Sequence, residues 1–184
     1  MNTFTLHTAE TAPSESAATL SMVQERYGFI PNLAGYLAES PTTLGAVMSL
    51  AQLFDKSSFT PTEQQIILLT VSLMNGCTYC KTAHTGLSRK AEMDDATLDA
   101  VINFSPLPDP KQNTLRNFVR SIVENKGHVD DAQTTDFLNA GYTKAQVFET
   151  ILGISMKTLT NYSNHFAGTN PNEEFIAMAA PANA

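Results

Sequence analysis

Apolar residues recur along this chain at three- and four-residue spacing, and nowhere do they alternate over the length of a strand hairpin. The first periodic run covers 16–27, with Ala18, Leu20, Met22 and Val23, and Gly28 closes it. Ile30-Pro31 breaks the pattern, and 32–39 reads as a short helix. Ser40-Pro41 opens the next, serine as N-cap and proline at the first helical position, where a missing N–H costs nothing. It runs to about residue 56, with Leu44, Val47, Met48, Ala51 and Phe54 on one side. Thr60 and Glu63 have capping-box spacing and start a helix over 61–75. Ile66, Ile67, Leu68, Leu69, Val71, Leu73 and Met74 cover nearly every side of it, which predicts a central helix or a subunit interface. Gly76 suits its left-handed stop.

A helix over 77–90 follows, then a shorter one over 93–103 for which Asp94 and Asp95 are the capping candidates. The proline-rich stretch 105–110 reads as a rigid linker. Over 111–126, Leu115, Phe118, Val119, Ile122 and Val123 follow the i, i+3, i+4, i+7, i+8 rule of an amphipathic helix, and Gly127 ends it. Asp130 or Asp131 caps a helix ending near Gly141, and Thr143 with Gln146 forms a second capping box that opens a long helix to about residue 166. These signals predict an all-α fold of about seven to eight helices, a single domain over 1–184. It has a loose N-terminus (1–13), a helical core (14–167) and a frayed tail (168–184) rich in proline, asparagine and alanine.

Composition narrows the function. Of 184 residues, 42% are apolar and 16% charged, ordinary for a globular protein with a sizeable core. The net charge of −7 and the scattered basic residues argue against nucleic acid or an anionic membrane as partner. No leader-like segment and no run of about 20 apolar residues is visible, so a cytoplasmic location is expected.

The chemistry concentrates in Gly76-Cys77-Thr78-Tyr79-Cys80-Lys81-Thr82-Ala83-His84, which holds both cysteines of the chain. At the start of a helix, Cys77, Cys80 and His84 fall on one stripe. Unpaired N–H groups and the helix dipole in the first turn favour a thiolate, and His84, one turn beyond Cys80, is placed to take its proton directly or through a water. A thiolate beside a second thiol can attack a peroxide, become a sulfenic acid and be resolved as a disulfide. Two other readings stand beside this leading one. Cysteines belong on apolar stripes as core residues, and Cys77, Cys80 and His84 supply three zinc ligands if His7, His128 or His165 completes the site. A redox pair needs neither metal nor cofactor.

Residues 60–84, TPTEQQIILLTVSLMNGCTYCKTAH, resemble the alkylhydroperoxidase D-like, or carboxymuconolactone decarboxylase, family. Tyr27 to Leu33 and Asn161 to His165 look like its peroxidase-related branch. The resemblance implies an all-helical fold, usually trimeric or hexameric, that reduces hydrogen peroxide or alkyl hydroperoxides with a CxxC pair. The electrons come from a dithiol reductant such as a lipoyl or thioredoxin-like protein. By that resemblance Cys80 is the peroxide-attacking thiol, Cys77 the resolving thiol facing the reductant, and His84 the relay histidine. Two positions depart. Tyr79 stands where well-studied members have a second histidine, and Gln65 stands at the relay glutamate, where it can orient His84 but cannot exchange a proton at neutral pH.

Glu63 lies about 200° around the helix from Gln65 and is better read as part of the capping box. His165 ends the stripe Val147, Ile151, Ile154, Thr158, Asn161, His165, and its polar end is a candidate neighbour of the cysteines, although a solvated or core role is the plainer reading. The expectation is a thiol-dependent, peroxidase-related oxidoreductase. Its alternatives are a dithiol–disulfide reductase serving another peroxidase and a non-catalytic metal-binding or thiol-sensing protein.

Overall fold

A computed structural model describes residues 3–181 and contains ten helices among them. They are α1 (Ser14–Tyr27), α2 (Asn32–Leu37), α3 (Pro41–Asp55), α4 (Pro61–Met74), α5 (Thr78–Lys90), α6 (Asp95–Ile102), α7 (Pro110–Glu124), α8 (Asp131–Asn139), α9 (Lys144–Ala167) and α10 (Glu173–Ala179). The all-α class is as the periodicity predicts, but the number is ten rather than seven to eight. Short helices add to it, and one of them comes from the tail.

The predicted starts form by the predicted chemistry. Ser40 Oγ accepts from Thr43 N–H with Pro41 at the first helical position, and both capping boxes, Thr60 with Glu63 and Thr143 with Gln146, are complete. Helix α4 is the hub: it packs against α5, α6, α7 and α9, and Ile66, Ile67, Leu69 and Val71 are fully buried. That position accounts for its all-round apolarity, which therefore gives no sign of a subunit interface. Helices α1 to α3 form a second apolar cluster around Leu20, Val23 and Leu44.

Phe118 of α7, Phe137 of α8 and Tyr142 of the loop after α8 stack with ring centroids 4.2 and 4.5 Å apart and carry the Tyr142 hydroxyl to Glu63, 2.8 Å from its Oε1. The apolar face left exposed lies on α9, where Phe148, Tyr162 and Phe166 are 73, 55 and 82% exposed.

Two expectations about the termini are corrected. The N-terminal segment is not loose where it is described: His7 N–H donates to Gly35 C=O at 3.3 Å, and its ring nitrogens lie 2.9 Å from Thr11 C=O and 3.2 Å from Glu39. The tail does not fray over 168–181. Helix α10 packs along α5, burying Phe175. Gly86 makes the approach possible, because a Cβ there would sit 2.7 Å from Met178 Cβ. Composition misleads here because Phe175 and Met178 anchor a segment otherwise dominated by polar and small residues.

Candidate active site

The turn between α4 and α5 builds the site. Gly76 takes φ +66°, a left-handed conformation costly for other residues. Its N–H bonds Leu73 C=O, and Cys77 N–H bonds Ser72 C=O at 2.9 Å, the paired bonds of a Schellman stop. The residue that finishes this stop is also the N-cap of α5. Cys77 Sγ accepts from Cys80 N–H at 3.3 Å, so N-cap geometry itself draws Cys77 against Cys80 in the first turn. Both are free thiols, each 2% exposed.

Only Cys80 of the two lines a cavity of about 180 Å³, together with Gln65, His84 and Lys157. Apolar residues from α1, α3, α4 and α9, among them Val23, Leu44, Val47, Leu68 and Met156, form much of its wall. Arg26 and Asp55, paired at 2.6 Å and half-exposed, sit on its solvent side. A larger concavity of about 800 Å³ lies along the outer face of α9 between Phe4, Tyr36 and Phe166, and no thiol, imidazole or ammonium lines it. The chemistry is therefore in the smaller space.

The sulfur of Cys80 is surrounded by donors. A hydrogen bond from Cys77 is the largest influence holding its acidity well above that of an ordinary thiol, and the Lys157 ammonium and the Asn161 amide act in the same direction against the cost of burial. Asn164 Nδ2 approaches the sulfur to 3.2 Å. Cys77 moves the opposite way: donating to Cys80 and being buried both keep its proton on. One thiolate and one thiol side by side is the starting state a dithiol cycle needs.

His84 is fixed from both ends. Its Nε2 is 2.8 Å from Lys157 Nζ and its Nδ1 is 2.9 Å from Gln65 Oε1. An ammonium has hydrogens and no lone pair, so Nε2 accepts, Nδ1 carries the ring proton, and Gln65 must present its carbonyl oxygen. Burial first, then the neighbouring ammonium, push His84 well below the usual imidazole range, leaving it neutral at pH 7. Both ring nitrogens of His84 are thus engaged, in a line Gln65–His84–Lys157 that shares its cavity with Cys80.

The remaining predicted residues divide. Tyr79 is buried and structural: its hydroxyl donates to Asn172 Oδ1 at 3.2 Å and accepts from Leu33 N–H at 3.5 Å, tying α2 to the segment before α10. Glu63 bonds Thr60 and Tyr142 and takes no part in the cysteine cluster. His165 is exposed and lies against Tyr162, near the end of α9, and takes no part in the cysteine cluster. His7 and His128 lie elsewhere, and no three His, Cys, Asp or Glu residues gather as a metal site among the described residues. Cys77 is not an open face toward a reductant, since Phe175 and Met178 of α10 pack in its cluster.

Sequence reasoning missed Lys157 and gave Asn161 and Asn164 no role beside the cysteines, although both fall in the Asn161–His165 segment. Their i, i+4, i+7 spacing puts them on one stripe of α9, and all three are buried. The available signal was a lysine in register with two asparagines at i, i+4, i+7 in the middle of a long helix.

Residues 41–105 match the model of the Carboxymuconolactone decarboxylase family, a span that includes Gln65, Cys77, Cys80 and His84 but not Lys157. No curated protein matches the sequence significantly. Among solved structures, the alkylhydroperoxidase AhpD core of an uncharacterized peroxidase-related protein from Ralstonia eutropha JMP134 superposes with a TM-score of 0.86 at 22% identity, covering 97% of this chain and 96% of that one. An uncharacterized peroxidase-related protein from Silicibacter sp. TM1040 gives 0.79 at 20% identity, covering 90% and 89%. The debrominase Bmp8 in its apo form gives 0.75 at 16% identity, covering 90% of each chain. These likenesses establish the fold.

Proposed function

We propose that this protein, a member through residues 41–105 of the carboxymuconolactone decarboxylase family with the alkylhydroperoxidase D-like fold, is a thiol-dependent oxidoreductase that reduces hydrogen peroxide or alkyl hydroperoxides. One observation carries the reading: Cys80, surrounded by donors that favour its thiolate, lines a cavity and has the protonated Cys77 against it. The Cys80 sulfur attacks the terminal peroxide oxygen. An S–O bond forms, the O–O bond breaks, and the leaving oxygen is protonated to water or an alcohol. Cys77 then loses its proton and attacks the sulfenic sulfur, and hydroxide departs as water, leaving a Cys77–Cys80 disulfide. A dithiol reductant, lipoyl or thioredoxin-like, returns the two electrons. The cycle uses no metal or other cofactor. The apolar walls favour an organic hydroperoxide over hydrogen peroxide, because burying its carbon skeleton adds binding that the smaller molecule lacks.

The testing experiment is peroxide consumption, with both peroxide types and with small and protein dithiols as donors. Consumption sustained by a dithiol supports the reading. Disulfide exchange with a partner protein but no peroxide consumption would instead favour a dithiol–disulfide reductase serving another peroxidase. Gln65→Glu bears on the proton path: a carboxylate on Nδ1–H makes the imidazole more basic, and the peroxide rate is expected to rise. Thermal melts must show normal folding, and an unchanged rate in folded protein means Gln65 only orients the ring.

A cytoplasmic homo-oligomer, trimer or hexamer, belongs to the same proposal. No helix among the described residues is long and apolar enough to cross a membrane. The surface suited to assembly is the α9 stripe rather than α4, since Phe148 and Phe166 are the most exposed of its aromatics. Light scattering is expected to give a multiple of the chain mass that falls in Phe166→Glu, and a monomer at micromolar concentration contradicts it.

A further inference from the structure

Lys157 is the buried lysine of the described residues, 3% exposed in the middle of α9. A buried ammonium is costly unless an anion or a set of acceptors compensates it. No carboxylate does: none of the ion pairs among the described residues includes Lys157. His84 offers one lone pair at 2.8 Å and no charge. The other ionisable groups around the cavity are Tyr27 on α1, Tyr79 on α5, and the Arg26–Asp55 pair between α1 and α3. Asp55 is held by Arg26 at 2.6 Å, and burial keeps both tyrosines protonated. Cys77, on α5, donates to Cys80. The group left to balance the ammonium is Cys80, which lines the same cavity and whose acidity the ammonium raises.

We propose that Lys157 is a catalytic residue, the counter-ion of the Cys80 thiolate and the acid that protonates the leaving oxygen. The second half rests on the peroxide reading above. The protons balance within the cluster. As the O–O bond breaks, the oxyanion takes a proton from the ammonium and leaves as alcohol or water. The resulting amine takes the Cys77 proton, which turns the resolving thiol into the thiolate that must attack. Hydroxide displaced in that attack takes a proton from the ammonium, and solvent restores it. His84, its Nδ1–H fixed on Gln65, holds the amine in place through Nε2 and need not titrate. This gives the chain an acid–base group although position 65 is glutamine.

The test uses Cys77→Ser, which leaves Cys80 as the single thiol and keeps a hydroxyl donor beside it. In that background Lys157 is compared with Lys157→Arg, Lys157→Met and Lys157→Gln, the last keeping a donor to His84 without the charge. The pH inflection of Cys80 alkylation and the thiolate ultraviolet absorbance report its ionisation. With Lys157 or Arg the inflection is expected below neutrality; with Met or Gln it should rise by about one unit or more, since a unit charge lost at a buried site shifts a neighbour by about 1–3 units. Sulfenic acid formation from peroxide should then separate Lys from Arg, because a guanidinium does not give up its proton, with a rate loss of about 10²-fold in the arginine variant. An inflection near the ordinary thiol value of about 8.5 with Lys157 present, or an unchanged one in whichever of the Met and Gln variants folds, overturns the counter-ion. Equal sulfenic acid rates with Lys and Arg overturn the proton donation. Absence of any peroxide reaction in the unsubstituted protein removes the peroxide reading and the donation with it, while the inflection still decides the counter-ion.

Discussion

Replacing Cys80 by serine is expected to abolish peroxide reduction, a loss on the order of 10³-fold or more, because a neutral hydroxyl cannot replace the thiolate as nucleophile. Replacing Cys77 gives a different failure. Cys80 still faces the cavity and still has Lys157, Asn161 and Asn164 around its sulfur, so the first step survives and the second cannot occur. Cys77→Ser should therefore consume one equivalent of peroxide and stop, with a sulfenic acid on Cys80 that a dimedone-type probe captures. The asymmetry comes from place: the N-cap position puts Cys77 on the backbone side of the turn, outside the cavity lining, while the third position of α5 puts Cys80 on it. Serine at position 77 also keeps the capping interaction, so folding should be little changed. A peroxide-sensitive Cys77 in the Cys80→Ser protein would reverse the assignment.

Glu63→Ala is expected to lower stability by about 3 kcal/mol without touching the cysteine chemistry. Its carboxylate, on a residue 5% exposed, accepts from Thr60 N–H and Oγ1–H at 3.0 Å each and from the Tyr142 hydroxyl at 2.8 Å. Alanine removes half of the capping box, which costs about 1 kcal/mol, and leaves the buried Tyr142 hydroxyl only its longer bond to Lys111 C=O at 3.3 Å, which costs about 1–3 kcal/mol more. For a chain of this size each kcal/mol moves the melting temperature by about 2–4 °C, so a fall of about 6–12 °C is expected. Calorimetry checks it, and the alkylation profile of Cys80 should stay where it was. A normal melting temperature would mean that water replaces the carboxylate; a shifted profile would mean that Glu63 reaches the site after all.

Local signals carried the sequence reading furthest where the chemistry is local. Ser40-Pro41, Thr60 with Glu63, Gly76, and Thr143 with Gln146 each settle a helix end through neighbours within a few residues, and the CxxC at a helix start follows from the same rules. What stayed hidden depends on distant partners. A lone lysine in the middle of a long helix reads as solvent-facing, so Lys157 appears only when α9 is laid against α4 and α5. The stripe of α9 from Val147 to His165 runs along the edge of the buried face: Asn161 on it is buried, Ile151 and His165 are exposed, and the buried face itself continues through Lys157 and Asn164. Helix α10 was invisible because seven residues of modest propensity are held by packing on α5 rather than by their own sequence. The Gln65–His84 contact is legible as a pairing of positions, but the second partner of the imidazole is a residue 73 positions away from His84.

The central claim is that Cys77 and Cys80 form one peroxide-driven dithiol–disulfide pair. The direct measurement is to give the native reduced protein one equivalent of an organic hydroperoxide, quench with an alkylating agent, and count labelled thiols by mass spectrometry alongside the alcohol released. The account predicts that both thiols become protected together, through an intramolecular Cys77–Cys80 disulfide, with one alcohol formed per disulfide. Two thiols that remain fully alkylatable, with the hydroperoxide intact, would contradict it.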